Sequence, residues 1–227
     1  MKPYEIVKDI FIVGGPDITD GRDGCAYLIN LGELILIDTG AGWSVEKIIK
    51  NIEKFGFDCG NLKKIILTHC HIDHIGGVPE IKKRFGCKIY IHKLDAAPFE
   101  TGDPILTAAN WYQTNFPPTP VDVKLNLPEE IMTVSEQRIL CLHTPGHTPG
   151  SICICLDKDG KRILFGQDLH GPLLSEFGSN LEDYGRSTKK LLELDADILC
   201  EGHFGIYKTK KDVRNYILSY RRQYGVE

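Results

Sequence analysis

The chain has 227 residues, 42% hydrophobic and 26% charged, which excludes general disorder and allows a core that needs no disulfide or metal staple. Its formal net charge of −4 argues against broad electrostatic capture of nucleic acid. No apolar run approaches the roughly 20 residues that span a bilayer, and Lys8 and Asp9 interrupt any signal-peptide pattern at the start.

Runs rich in Ile, Leu and Val, bounded by turn residues, predict strands at 6–13, 26–30, 34–38, 63–68, 88–92, 138–143, 152–156, 162–165 and 197–201. Between them, Val45, Ile48, Ile49 and Ile52 recur at helical spacing, with Ser44 placed as an N-cap. Pro79 suits the first turn of a helix leading to Ile81 and Phe85. Leu191, Leu192 and Leu194 mark a helix over 188–194, and Val213, Tyr216, Ile217 and Tyr220 share one face of a helix from Thr209. Strands come first and then alternate with helices in both halves, so sheets covered by helices bury both sets of apolar faces. The whole of 1–227 reads as a single domain. One break in composition lies at 94–128, where Pro98, Pro104, Pro117, Pro118, Pro120 and Pro128 accompany Phe99, Trp111, Tyr112 and Phe116. This segment reads as a lid-like insertion, with Trp111, Tyr112 and Phe116 spaced to share a helical face and Trp111 offered to substrate.

Eight cysteines are present without a Cys-x-x-Cys pair, and six adjoin strand-like runs: Cys25, Cys87, Cys141, Cys153, Cys155 and Cys200. Buried free thiols in a reducing compartment follow, and the cytoplasm is the expected location.

The strongest signal is Thr68-His69-Cys70-His71-Ile72-Asp73-His74-Ile75-Gly76-Gly77, directly after the apolar run Ile65-Ile66-Leu67. Neutral imidazoles and carboxylates are the donors that zinc and similar divalent ions take. Cys70, between two histidines of an extended segment, points to the opposite face and reads as packing. Further on, His147, Asp168 and His203 each adjoin a glycine near the end of a predicted strand. Taken singly, each has a structural reading as well as a metal-ligand one. His92 and His143 read as structural or supporting residues, and His170, two positions after Asp168, as a substrate contact.

In this order, His69-x-His71-x-Asp73-His74 followed by His147, Asp168 and His203 resembles the metallo-β-lactamase superfamily, with a match from Asp38 to His203. The resemblance implies an α/β fold, an αββα four-layer sandwich of two mixed β-sheets flanked by helices. It implies two divalent ions, zinc first, with iron or manganese accepted by the same donors. One ion would take His69, His71 and His147, the other Asp73, His74 and His203, and Asp168 would bridge them. Asp38 would support the ligands from behind. A metal-bound hydroxide would cleave an ester, thioester or lactone of a small metabolite, with Asp73 as proton shuttle.

The bridging aspartate departs from true β-lactamases and points to glyoxalase II-like, lactonase-like, persulfide dioxygenase-like or phosphodiesterase-like branches. A mononuclear iron persulfide dioxygenase and a phosphodiesterase or nuclease are the alternatives. A lactonase reading asks for a tyrosine near the metals, and Tyr184 is the nearest candidate after Asp168. Only 24 residues follow His203, enough for one basic helix. The expected partner is a small-molecule substrate, without nucleic acid or membrane, and a homo-oligomer is compatible.

Overall fold

The computed structural model describes residues 1–166 and 168–226. The chain forms two compact units, Met1–Leu125 and the part from Asn126 onward, each built on its own mixed sheet.

In the first unit the sheet runs in chain order: β1 (Tyr4–Val7), β2 (Ile10–Gly14), β3 (Ala26–Asn30), β4 (Leu34–Ile37), β5 (Leu62–Ile66), β6 (Lys88–His92) and β7 (Val123–Leu125). The pairs from β1 to β4 are antiparallel, and those from β4 to β7 are parallel. Parallel neighbours need crossovers; α1 (Val45–Lys54) supplies one between β4 and β5, and α3 (Val78–Phe85) another between β5 and β6. The apolar stripe of α1 is buried as its spacing predicts. It joins a core with Leu28, Leu34, Leu36 and Ile65. The alternate residues Ile35 and Ile37 are also buried, so β4 reads as a continuous apolar run instead of an alternating one.

Several expectations change here. The run 6–13 is two strands, because Asp9 takes a positive φ of 65° and turns the chain between them. Ser44 stands at the N-cap position of α1, yet it makes no side-chain cap; its hydroxyl bonds Asp23 instead. Trp111, Tyr112 and Phe116 do not share a helical face, since their stretch is turns and irregular backbone. The stretch 94–128 contributes most of α4 (Lys93–Thr101) and the whole of β7, which pairs parallel with β6. Phe116 is buried against Phe99 at 4.9 Å between ring centroids, whereas Trp111 is 52% exposed.

The second unit orders its strands β13-β12-β11-β10-β9-β8: β8 (Glu129–Val134), β9 (Gln137–His143), β10 (Ile152–Lys158), β11 (Lys161–Phe165), β12 (Ile198–Cys200) and β13 (Ile206–Tyr207). All pairs are antiparallel except β11 with β12. That parallel pair is joined by α5 (Leu181–Glu193), which begins well before the predicted 188–194 because Asn180 caps it through the Asp183 amide. The last helix, α6 (Lys210–Gln223), starts at the Thr209 cap and buries Val213, Tyr216 and Ile217 as expected. All eight cysteines are buried and free. Among the described residues, no helix is long and apolar enough to cross a membrane.

Candidate metal centre

Strand register explains why ligand-type residues gather in each unit. In the first unit, β4 and β5 are parallel with Ile37 opposite Ile66. Both strands therefore release their carboxyl ends at one sheet edge, the usual place for a site in such sheets. Asp38 leaves β4 there, and 65-Ile-Ile-Leu-67 delivers Thr68 and the histidine loop beside it. Asp38 accepts the Thr68 amide at 2.9 Å and the Thr68 hydroxyl at 2.7 Å, and lies 2.8 Å from His74 Nδ1. A carboxylate only accepts, so His74 Nδ1 carries the proton and Nε2 keeps the lone pair. The same logic passes to His69. The single hydroxyl proton of Thr68 goes to Asp38, so Thr68 Oγ1 accepts from His69 Nδ1 at 3.0 Å.

His71 is the N-cap of a single helical turn, α2 (Ile72–Ile75), which swings Asp73 and His74 away from the strand direction. His74 Nε2 stands 3.7 Å from Asp73 Oδ2. His69, His71, Asp73 and His74 are all buried. Backbone bonds fix the turn from three sides: Gly24 N donates to Asp73 O at 2.9 Å, Thr39 N to His74 O at 2.7 Å, and Ile72 N to Thr107 O at 2.7 Å. A Cβ on Gly24 would lie 2.6 Å from the His74 ring, so only glycine lets that loop approach.

In the second unit, Ile152 lies opposite His143, Ile154 opposite Phe165, and Phe165 opposite Cys200. The carboxyl ends of β9, β11 and β12 therefore share one edge, and the loops after them carry His147, Asp168 and His203. Asp168 Oδ2 is 3.6 Å from His147 Nε2 and 3.4 Å from His203 Nε2. His147 Nδ1 lies 3.0 Å from the Pro172 carbonyl, which again puts the proton on Nδ1 and the lone pair on Nε2.

These spacings fit a divalent ion. Imidazole and carboxylate donors bind zinc at about 2.0–2.2 Å, and tetrahedral ligands at that radius stand about 3.4 Å apart. The donors are buried except for the half-buried His203 and include no thiolate, and His69, His74 and His147 are already oriented by outer partners, as metal-binding imidazoles require. Each unit supplies two close groupings of donor atoms: His69 with His71 and Asp73 with His74 in the first, His147 with Asp168 and Asp168 with His203 in the second. Asp168 alone belongs to both groupings of its unit.

Other predicted residues take supporting places. His170 Nδ1 contacts Glu201 Oε1 at 3.0 Å, and the Tyr184 hydroxyl donates to Leu169 O at 2.6 Å. Tyr184 is fully buried; burial pushes its phenol well above the ordinary range, so it supports the Asp168 loop from behind. His143 Nε2 meets the Pro149 carbonyl at 2.9 Å and braces the His147 loop. His92 caps α4 through the Leu94 amide. Cys70 turns its thiol to Leu106 O, and burial raises its pKa well above the usual thiol value.

Three buried carboxylates were not legible as site residues. Glu201 accepts the amides of His203 at 2.6 Å and Phe204 at 2.7 Å besides meeting His170. Burial pushes its carboxyl up, but the His170 contact together with the His203 amide outweighs burial and holds it below the ordinary glutamate value. Asp23 accepts the Ala41 amide at 2.8 Å and the hydroxyls of Thr19 and Ser44, tying the Gly24 loop to α1. Asp95 accepts the Cys70 amide at 3.1 Å. Glu201, two residues before His203, was the one with a usable sequence signal: an acid at the end of a predicted strand beside a candidate ligand.

Residues 19–203 match the metallo-beta-lactamase superfamily. A hydroxyacylglutathione hydrolase of Haemophilus influenzae is 30% identical over 184 residues, which cover 77% of this chain and 81% of that protein. An acyl-coenzyme A thioesterase of Bos taurus is 26% identical over 220 residues, 81% of this chain and 74% of its own. Among solved structures, a metallo-beta-lactamase from Cronobacter sakazakii matches with TM-score 0.83 and 24% identity, over 99% of this chain and 96% of that one. That likeness bears out the fold class expected from sequence, α/β with two mixed sheets flanked by helices.

Proposed function

The chain belongs to the metallo-β-lactamase superfamily and is a metallo-hydrolase; from that premise we propose that it is a dinuclear enzyme cleaving thioesters of small metabolites. His69, His71 and His147 would hold one divalent ion and Asp73, His74 and His203 the other, with Asp168 shared. The observation that carries this reading is the Asp168 carboxylate oxygen, which stands within 3.6 Å of two imidazole nitrogens that the motif order assigns to different ions. When bound, the two ions supply an ionised water at neutral pH and a Lewis acid for the carbonyl oxygen.

The protein's own groups do the rest. Asp38 fixes His74 directly and His69 through Thr68, so two imidazoles present Nε2 without a search for rotamer or tautomer. Asp73 is held by its backbone between Gly24 and the α2 turn, where its carboxyl takes a proton from the attacking water and returns it to the leaving thiolate. Thioesters are preferred over other esters because two relatives are named for thioester hydrolysis, of hydroxyacylglutathione and of acyl-coenzyme A.

The test is a metal-resolved panel of thioester, lactone, β-lactam, phosphodiester and persulfide substrates. Thioester turnover with two ions per chain is expected. Asp168→Ala should weaken both ions, whereas His203→Ala should mainly release one. Full turnover with a single ion, or oxygen uptake with persulfide and no thioester hydrolysis, would overturn the reading.

A further inference from the structure

The loop that carries Asp168 is held by more than its own turn. Its two following carbonyls each accept a phenol hydroxyl: Leu169 O from Tyr184 at 2.6 Å, and His170 O from Tyr224 at 2.8 Å. Tyr184 lies on α5, and Tyr224 is the C-cap of α6. The two rings meet edge to face with centroids 5.3 Å apart. Arg221, buried one turn before Tyr224, donates to Gly185 O at 2.7 Å and Thr188 Oγ1 at 2.6 Å, so α6 is fastened to α5 at this point.

The loop is shaped to receive these hydroxyls. Gly171 has φ +91°, and a Cβ there would fall 1.9 Å from Tyr224 Oη. A side chain at 171 would push the hydroxyl off the loop. Gly171 N in turn donates to Asp168 O at 3.0 Å, so the accepting carbonyls and the aspartate belong to one tight turn. Two hydroxyls on successive carbonyls fix the peptide planes and, with them, the direction in which Asp168 leaves the backbone.

We infer that Tyr184 and Tyr224 are positioning residues for Asp168, so that the last helix of the chain sets the metal affinity of a ligand more than 50 residues upstream. This rests on the reading of Asp168 as a shared ligand. Outer groups that orient metal ligands are worth about 10- to 100-fold in affinity, and a neutral hydroxyl acting through a backbone carbonyl falls at the lower end.

The experiment is Tyr224→Phe in the full chain, which keeps the ring and removes one hydrogen bond, with Zn2+ as the probe in a chelator competition. About tenfold weaker Zn2+ binding in the folded protein is expected, beside the small loss of melting temperature that one lost hydrogen bond carries. A purely structural tyrosine would lower the melting temperature alone and leave Zn2+ affinity in the folded protein unchanged, which would overturn the inference. Tyr184→Phe should reproduce the affinity loss, and it is the second variant should Tyr224→Phe prove unstable. Wild-type Zn2+ affinity in both phenylalanine variants, with weakened binding in Asp168→Ala, sinks the inference but spares the bridge. Wild-type affinity in Asp168→Ala as well sinks the bridge itself.

Discussion

The two units solve the same problem in different ways. The first presents four ligand-type side chains within six residues and orients two of them, His74 directly and His69 through Thr68, from one carboxylate, Asp38, which leaves the neighbouring parallel strand. The second draws three from loops spread over 147–203 and orients them by scattered groups: the Pro172 carbonyl, Glu201, and two tyrosines from different helices. A contiguous set can hang on one hub, whereas a dispersed set needs a support for each loop. The first arrangement concentrates the consequences of a mutation, and the second divides them.

Asp38→Ala is therefore expected to do the most damage. It removes the acceptor of three donors at once in a buried setting, and should cost the metal-free protein about 3 kcal/mol in denaturant unfolding. Glu201→Gln, the nearest equivalent in the second unit, should cost about half as much, because the amide oxygen still accepts the His203 and Phe204 amides. Equal losses would break the contrast between one hub and many.

Proton linkage gives a smaller and more gradual difference. Burial pushes the Cys141 thiol in the second unit up to about 12, and those of Cys59 and Cys87 in the first to about 11. An unfolded thiol titrates near 9.0, so between pH 9 and these values the unfolded chain has lost protons that the folded one keeps. Stability is thus full below pH 9 and falls above it, by about 1.4 kcal/mol per pH unit for each such thiol. Cys141→Ala should flatten that alkaline limb in urea midpoints measured from pH 8 to 10, and an unchanged slope would show that the thiol titrates normally. At the bottom of the scale, Lys190→Ala breaks the exposed pair with Glu129 at 2.8 Å, and should move stability by no more than about 0.5 kcal/mol.

The same contrast explains what the sequence disclosed. The histidine loop was legible because its donors are adjacent and follow an apolar strand. His147, Asp168 and His203 became a set only through resemblance, since nothing local says that β9, β11 and β12 end on one edge. Strands β7 and β13 were missed because two or three residues carry no usable alternation, and β8 because Glu129 and Glu130 dilute its apolar pattern. Helix α5 was foreshortened because Tyr184, Ser187 and Thr188 are buried by tertiary contacts that their polarity does not advertise. Tyr184 stands out in the sequence only as the nearest tyrosine after Asp168, and nothing local says that its hydroxyl reaches the Leu169 carbonyl.

The Thr68 amide donates to the Asp38 carboxylate and not to an adjoining strand. Its exchange with deuterium is consequently a clock for the mouth of the histidine loop, separate from the breathing of the sheet behind it. Amides of β5 should exchange only when that sheet opens, while Thr68 should exchange whenever Asp38 lets go. The gap between the two rates measures how often the loop opens while the sheet stays folded.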